Sequence, residues 1–316
     1  MKAIAVAHFG DTPLLMDLPR PEVKPGCILI RIAAAAVNPY DWKLVDGIMK
    51  DHMPHVFPLI MGNDGAGVVE EVGAGVTRFK TGDKVYGQFL HKPVGEGAYA
   101  EYVVVPEKAA ITIAPGNIPL EDAAAAPTAG MTAIQLVEAA ELAAGQVLLI
   151  VGGTGGVGSF AIQVAASNGI HVIATVSSEE GATRVKALGA KETINYMEAP
   201  VDEQLKKLHP NGIDALIDTV NDKSKFEALS EQVKKGKVTL TTKFVTNDFF
   251  LKDQKLHGGN FETKSTVEEM EKLTSLLQQG TLKVPVESRI PLEEAPVAVA
   301  QSRMGKGKGK TVIVIN

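Results

Sequence analysis

Between residues 147 and 159 glycine recurs at a spacing suited to holding a pyrophosphate. The stretch reads Val-Leu-Leu-Ile-Val-Gly-Gly-Thr-Gly-Gly-Val-Gly-Ser. Within it Gly153, Gly155 and Gly158 satisfy G-x-G-x-x-G, and Gly152, Gly155 and Gly158 satisfy G-x-x-G-x-x-G. Such a turn brings backbone amides up to a pyrophosphate with no Cβ in the way and lets the next helix pack closely on the preceding strand. The anion then rests on unpaired N–H groups at the positive end of the helix dipole. Alone, the motif fits an ordinary glycine-rich turn equally well, so its flanks decide. Four apolar residues, 147–150, lead in, and 160–166 follow with helical spacing before Asn168-Gly169 stops the run. Strand, turn and helix together identify a dinucleotide site at Gly152, Gly153, Thr154, Gly155, Gly156, Val157 and Gly158.

The next strand bears on which dinucleotide. An NAD site usually carries Asp or Glu about 20 residues past the glycines, bonded to the ribose 2′-hydroxyl. Val176 stands there instead, followed by Ser177 and Ser178. No carboxylate repels a 2′-phosphate, the serines can donate hydrogen bonds to one, and Arg184 or Lys186 can add charge. The serines serve equally well as caps for the following helix, and Glu179 and Glu180 lie just beyond. The pattern favours NADPH.

Positioning these residues requires an alternating scaffold, and the chain supplies one. Strand patterns at 171–176, 193–196, 213–220 and 237–241 alternate with helical patterns at 182–188, 202–208 and 225–235. Alternation of this kind predicts an α/β domain with a doubly wound parallel sheet, binding its ligand at the carboxyl ends of the strands. Residues 1–121 read differently. Short strands at 4–6, 28–33, 67–72, 84–86 and 99–105 are punctuated by Pro and Gly, which predicts a β-rich domain. From Leu120 a helical pattern opens, is interrupted at Pro127, and resumes at 132–142. An amphipathic helix at 266–279 and a strand at 310–316 return to the first domain. The expected division is therefore 1–121, completed by about 262–316, and 122–261.

At 316 residues the chain can hold two cores. A net charge of −5 disfavours nucleic acid and anionic membrane surfaces as partners. Cys27 is the single cysteine, which excludes an intrachain disulfide and a cysteine-rich zinc site. No apolar run is long enough to span a membrane and no leader pattern opens the chain, so the cytoplasm is the expected compartment. Histidines such as His52, His55 and His91 match no ligand spacing and read as solvated or packing residues. No metal is expected.

Several ordered segments resemble the zinc-independent medium-chain dehydrogenases/reductases of the quinone oxidoreductase group. They are Ala-Val-Asn-Pro-Tyr-Asp-Trp-Lys at 36–43, Met-Gly-Asn-Asp-Gly-Ala-Gly-Val-Val at 61–69, Gly-Asp-Lys-Val-Tyr-Gly at 82–87, Gly-Ala-Tyr-Ala-Glu-Tyr at 97–102, Pro-Thr-Ala-Gly-Met-Thr-Ala at 127–133 and Leu-Gly-Ala at 188–190. The resemblance covers nearly the whole chain. It implies a GroES-like substrate domain, a Rossmann domain and a cleft between them for NADPH and substrate, with members often dimeric. Zinc-dependent relatives carry Cys, His and Cys where this chain has Asn38, Asn63 and Thr128, none of them a zinc ligand. Without a Lewis acid, the favoured hydride acceptor delocalises charge itself, as a quinone or an α,β-unsaturated carbonyl does. The resemblance places Asn38 beside the nicotinamide and substrate oxygen, in a loop at 38–43, and makes Lys43 a donor to the developing enolate oxygen. Tyr40 is a further catalytic candidate, although it and Trp42 read equally as wall residues. Asp41 and Asp64 are expected to orient neighbours. On the cofactor side the resemblance implies Thr128 and Thr132 near the nicotinamide, Tyr196 near the adenosine phosphate, Thr219 facing the ribose and Lys310 reaching the cofactor from the alternating Gly-Lys repeat at 305–310. Two departures stand out: Asn221 and Gly181 replace residues that relatives use on the adenosine side, a glycine and in some a phosphate-binding lysine. The competing function is an NADPH-binding sensor or partner-binding protein with little catalysis.

Overall fold

The computed structural model describes residues 1–305, 307 and 309–315. The chain divides into two compact units, one of Met1–Met131, Ser265–Gly280 and Val284–Asn316, the other of Thr132–Lys264 and Thr281–Lys283. In the first stretch lie β1 (Lys2–Val6), β2 (Leu14–Asp17), β3 (Cys27–Ala36), α1 (Pro39–Val45), β4 (Leu59–Ile60), β5 (Asp64–Val72), β6 (Lys84–Gln88), β7 (Tyr102–Pro106), β8 (Ile111–Ile113), the one-turn α2 (Leu120–Ala123) and α3 (Pro127–Ala139). The second unit follows with β9 (Val147–Val151), α4 (Gly156–Ser167), β10 (His171–Val176), α5 (Glu179–Ala187), β11 (Glu192–Asn195), α6 (Val201–Leu208), β12 (Ile213–Asp218), α7 (Lys223–Ser230), β13 (Val233–Thr241), α8 (Asp248–Gln254) and β14 (His257–Asn260). The chain then returns to the first unit with α9 (Val267–Gln278), β15 (Val286–Pro291), α10 (Ala295–Arg303) and β16 (Lys310–Val314).

The second unit is a six-stranded sheet in the order β11-β10-β9-β12-β13-β14, with every pair parallel. This is the dinucleotide-fold order, which reverses between β9 and β12. Its central strands are buried along their length, which is why they read as near-continuous apolar runs. Leu149, Ile173, Ile194, Leu216 and Phe226 form its core. The first unit carries an antiparallel three-stranded sheet, β2-β1-β4, and a seven-stranded sheet in which β15, β16, β3, β5, β6 and β8 follow in order and β7 also pairs with β3. Ile28, Ile30 and Ile32 of β3 pack with Val69, Val85, Val103, Val105 and Ile313 beneath it.

Several expected elements are corrected. Residues 38–43 are a helix start: Pro39 opens α1, at a position where a missing N–H costs nothing. Pro127 likewise begins α3 where an interruption was expected. The helix expected at 225–235 ends at Ser230, and β13 begins at Val233. The strand expected from residue 99 begins at Tyr102.

One carboxylate fixes the geometry of the first unit around α1. Asp41 is 1% exposed. Its Oδ2 accepts the Asn38 N–H at 2.8 Å and the Tyr99 hydroxyl at 2.7 Å, and its Oδ1 accepts the Asn63 N–H at 3.0 Å. An acid at the third helical position reaching back to the cap amide is half of a capping box. Here it also holds the chain entering β5 and the Tyr99 segment. Burial pushes the Asp41 carboxyl from the ordinary 3.8 up to about 6, against the opposing pull of its donors and of Lys310. Because the folded value lies above the unfolded one, the carboxyl's contribution favours the fold below pH 4 and is lost as the pH rises through 6. Asp41→Asn leaves donor facing donor and should cost about 2–4 kcal/mol at pH 4. Urea unfolding between pH 4 and 7 should show that deficit narrowing as the pH rises; a widening deficit would contradict the burial argument.

Candidate active site

The glycine turn lies at the carboxyl end of β9, at the reversal of strand order. Gly152 has φ +89°, and a Cβ there would stand 2.5 Å from Thr219 Oγ1. A Cβ on Gly158 would stand 2.1 Å from the Gly152 carbonyl oxygen. These two positions therefore need glycine for a left-handed turn and for close packing of α4 on the strand. Gly155 caps α4 with no side-chain acceptor, which leaves the first-turn amides of Gly156, Val157 and Gly158 disposed to bind an anion. Thr219, just past β12, donates its hydroxyl to the Val151 carbonyl at 3.0 Å and so lies on the other side of the reversal. Asp218 holds the following loop by accepting the N–H groups of Val220 and Asn221 at 2.9 Å and the Asn221 side-chain amide at 2.8 Å. Asn221, where relatives have glycine, thus has its amide turned back onto its own loop.

At the carboxyl end of β10, Ser178 caps α5, its hydroxyl oxygen accepting the Gly181 N–H at 3.1 Å. This acceptor role leaves the hydroxyl proton to donate elsewhere. Ser177 is exposed beside it. Arg184 reaches back from α5 to the Thr154 carbonyl at 2.7 Å, which brings its guanidinium to the glycine turn. The Tyr196 N–H bonds the Val176 carbonyl at 3.0 Å, so the half-exposed residue stands at the same strand ends. Thr132, in the same unit, shares a hydrogen bond with Thr263 at 2.7 Å.

In the first unit the structure joins Asn38, Asn63, Asp64, Gln88, Thr128 and Lys310 in one buried network. The Thr128 hydroxyl donates to Asp64 Oδ1 at 2.5 Å and accepts the side-chain amides of Asn63 at 2.9 Å and Gln88 at 2.8 Å. Its N–H donates to Asp64 Oδ2 at 3.0 Å. Lys310 is 3% exposed and donates to Asn38 Oδ1 at 2.6 Å and the Val37 carbonyl at 2.9 Å. Its ammonium is enclosed by these groups. The reason is register: β16 runs antiparallel to β3 with Val312 opposite Ala36, so Lys310 lies alongside the chain just past the end of β3. Burial pushes the Lys310 ammonium below its ordinary range, opposed by the charges of Asp64 and Asp41. Burial likewise raises the Asp64 carboxyl, opposed first by Lys310 and then by Thr128. Lys306 and Lys308 of the Gly-Lys repeat lie outside the described residues.

Tyr40 and Trp42 pack, partly buried, against the first unit's core. Lys43 follows in the last turn of α1, with its Nζ 5.8 Å from the centre of the Trp42 ring. Sequence reading missed Gln88, Tyr99 and Thr263. The only signal for Gln88 was a polar residue closing the buried Val85-Tyr86-Gly87 run, and Tyr99 and Thr263 gave none.

Comparison with known proteins agrees with this architecture. Residues 24–115 match the alcohol dehydrogenase GroES-like domain, and residues 156–276 match the zinc-binding dehydrogenase domain. The chain is 32% identical over 314 residues to the chloroplast envelope quinone oxidoreductase homolog of Arabidopsis thaliana, covering 94% of this chain and 92% of that protein. It is also 32% identical over 323 residues to the NADPH-dependent alkenal/one oxidoreductase of the same plant, covering 99% of this chain and 79% of that one. The quinone oxidoreductase of Coxiella burnetii aligns over 100% of this chain and 99% of its own at 31% identity, with a TM-score of 0.87. The chain belongs to the medium-chain dehydrogenase/reductase family, as a quinone oxidoreductase-like member.

Proposed function

We propose that this protein reduces a quinone or an α,β-unsaturated carbonyl with NADPH and uses no catalytic metal. The observation that carries this reading is the network at Asn38, Asn63 and Thr128. Asn63 directs its NH₂ group at Thr128, the Thr128 oxygen already accepts two amides, and the Asn38 oxygen holds an ammonium at 2.6 Å. Zinc needs lone pairs from thiolate, imidazole or carboxylate, and a neighbouring cation opposes it. The residues do not fit the metal that zinc-dependent relatives hold, and no step is assigned to one.

The glycine turn, with Arg184, Ser177, Ser178, Tyr196 and Thr219, is assigned to NADPH. When bound, that cofactor supplies a hydride from its nicotinamide. The protein's task is then to orient the acceptor and to offer hydrogen bonds to the oxygen that gathers charge. Asn38 is assigned to this task with its amide orientation set by Lys310: with its oxygen bonded to the ammonium, its NH₂ is the donating end. Lys43 is assigned to electrostatic stabilisation of the same oxygen. The relatives' names support both substrate classes, since one is a quinone oxidoreductase homolog and another an alkenal/one oxidoreductase.

The test is a fluorescence titration with NADPH and NADH, followed by addition of a naphthoquinone or an enone. Binding of NADPH with oxidation on adding either acceptor is expected. Binding without oxidation across a broad acceptor panel would leave a nucleotide-binding protein and sink the reductase. Lys43→Met should lower kcat by roughly 10²-fold, the scale of one lost donor to a developing oxyanion, with NADPH affinity nearly unchanged. Lys310→Met leaves two buried carboxylates without their cation. It should destabilise the protein by about 3–5 kcal/mol and lower kcat. If Lys310 instead holds a cofactor phosphate, its loss would weaken NADPH binding and leave the melting temperature unmoved.

A further inference from the structure

Sequence spacing scatters the histidines, but the fold of the second unit gathers two of them around a carboxylate. His171 opens β10, Glu192 opens β11, and His209 caps the end of α6. One ligand atom from each lies within 4.8 Å of the others. His171 Nε2 stands 2.5 Å from Glu192 Oε1, and His209 Nε2 stands 3.2 Å from the same oxygen and 3.3 Å from Oε2. Among the described residues no other group of three or more His, Cys, Asp or Glu side chains meets in this way.

We propose that His171, Glu192 and His209 bind a divalent transition metal, zinc being the best fit to two imidazoles and one carboxylate. Four-coordinate zinc sits about 2.0–2.1 Å from nitrogen and 2.0–2.2 Å from oxygen, which spaces its ligand atoms by about 3.3–3.5 Å. The two imidazoles stand 2.5–3.3 Å from the Glu192 oxygens, at or just below that spacing, so small outward side-chain rotations open room for the ion. The three side chains are partly exposed, which gives the ion a way in and water a fourth position. The backbone beneath them is ordered by pairing. β10 and β11 are joined in parallel register with Ile173 opposite Glu192, which puts His171, two residues before Ile173, on the same sheet face as Glu192. The His209 N–H bonds the Leu205 carbonyl and so fixes that residue to the end of α6.

As it stands, both imidazoles face one carboxylate through Nε2, and a hydrogen bond from each requires the Nε2–H tautomer. Metal binding moves each ring proton to Nδ1 and frees the Nε2 lone pair; Glu192 contributes an oxygen and half-neutralises the ion. The site lies at the amino ends of β10 and β11. The glycine turn is at the opposite, carboxyl ends, about 17 Å away along a six-residue strand at ~3.3 Å per residue. The metal therefore acts as a clip. β11 is the edge strand, bonded to the sheet only through β10, and the ion would tie it to both β10 and α6.

The experiment is a Zn²⁺ titration of the intact protein against a chromophoric chelator, with Co²⁺ absorption and thermal melting as second readouts. One equivalent per chain and a rise in melting temperature with Zn²⁺ are expected. His171→Gln, His209→Gln and Glu192→Gln should each weaken binding by more than ~10-fold, since even residues behind a metal's ligands are worth about that much. Each should also abolish the metal-dependent rise in melting temperature, whereas His257→Gln should change neither. The glutamine variants keep hydrogen-bonding bulk, and unchanged NADPH binding would confirm that they fold. Absence of a stoichiometric site in the wild type, or binding that survives both His171→Gln and His209→Gln, would overturn the proposal.

Discussion

The first unit depends on a carboxylate that has no access to water. Asp41 accepts hydrogen bonds from three segments distant in sequence: the start of α1, the approach to β5 and the Tyr99 segment. A buried carboxylate with three donors has almost no freedom to move without stranding one of them, so the backbone around Asn38 and Asn63 is held in register. That register places both amides in the network that includes Thr128. Lys310 completes the electrostatics by bringing one ammonium to two buried carboxylates. Neither sign would be tolerable there alone.

The two ends of the proposed chemistry rest on different physics. The nucleotide end is made of backbone: glycines, open amides and a helix dipole, with side chains such as Arg184 and Thr219 bracing the turn. The substrate end is made of side chains whose orientation is settled by other side chains. Those side chains are held by hydrogen bonds and by the charge of a buried ammonium near two buried carboxylates. A preorganised donor in a dry site is effective because nothing must reorient as charge develops.

Legibility in the sequence followed this division. The glycine turn could be read directly, because its chemistry demands one residue type at fixed local spacing, and β10 matched its expected bounds. The helix α1 could not be read, because seven residues opened by Asn-Pro carry too little periodicity. β14, His-Gly-Gly-Asn, has almost no strand propensity, and its place comes from pairing with β13. The helix expected at 225–235 ran too far because Lys-Lys-Gly-Lys is polar and helix-tolerant up to its glycine, whereas the sheet claims it from Val233. The bond of Lys310 to Asn38 could not be read, for a simple reason: it spans 272 residues of sequence, and no local pattern records such a distance. Thr128 and Asn63 could be singled out by resemblance, but their meeting, and the further partner Gln88, emerge only when the chain is folded.

The division of the chain also has a consequence for how it is made. The second unit is almost continuous, residues 132–264 with a three-residue return, whereas the first is begun by β1 and finished by β16. During synthesis the nucleotide fold can therefore close while the first unit still lacks β15, β16 and the Lys310 ammonium. Until those residues emerge, Asp41 and Asp64 must stay hydrated, and the long-range pairing of β3 with β16 must wait on a very large loop closure. Birth order thus separates the two units: the one proposed to recognise the nucleotide is complete before the one proposed to face the substrate can exist.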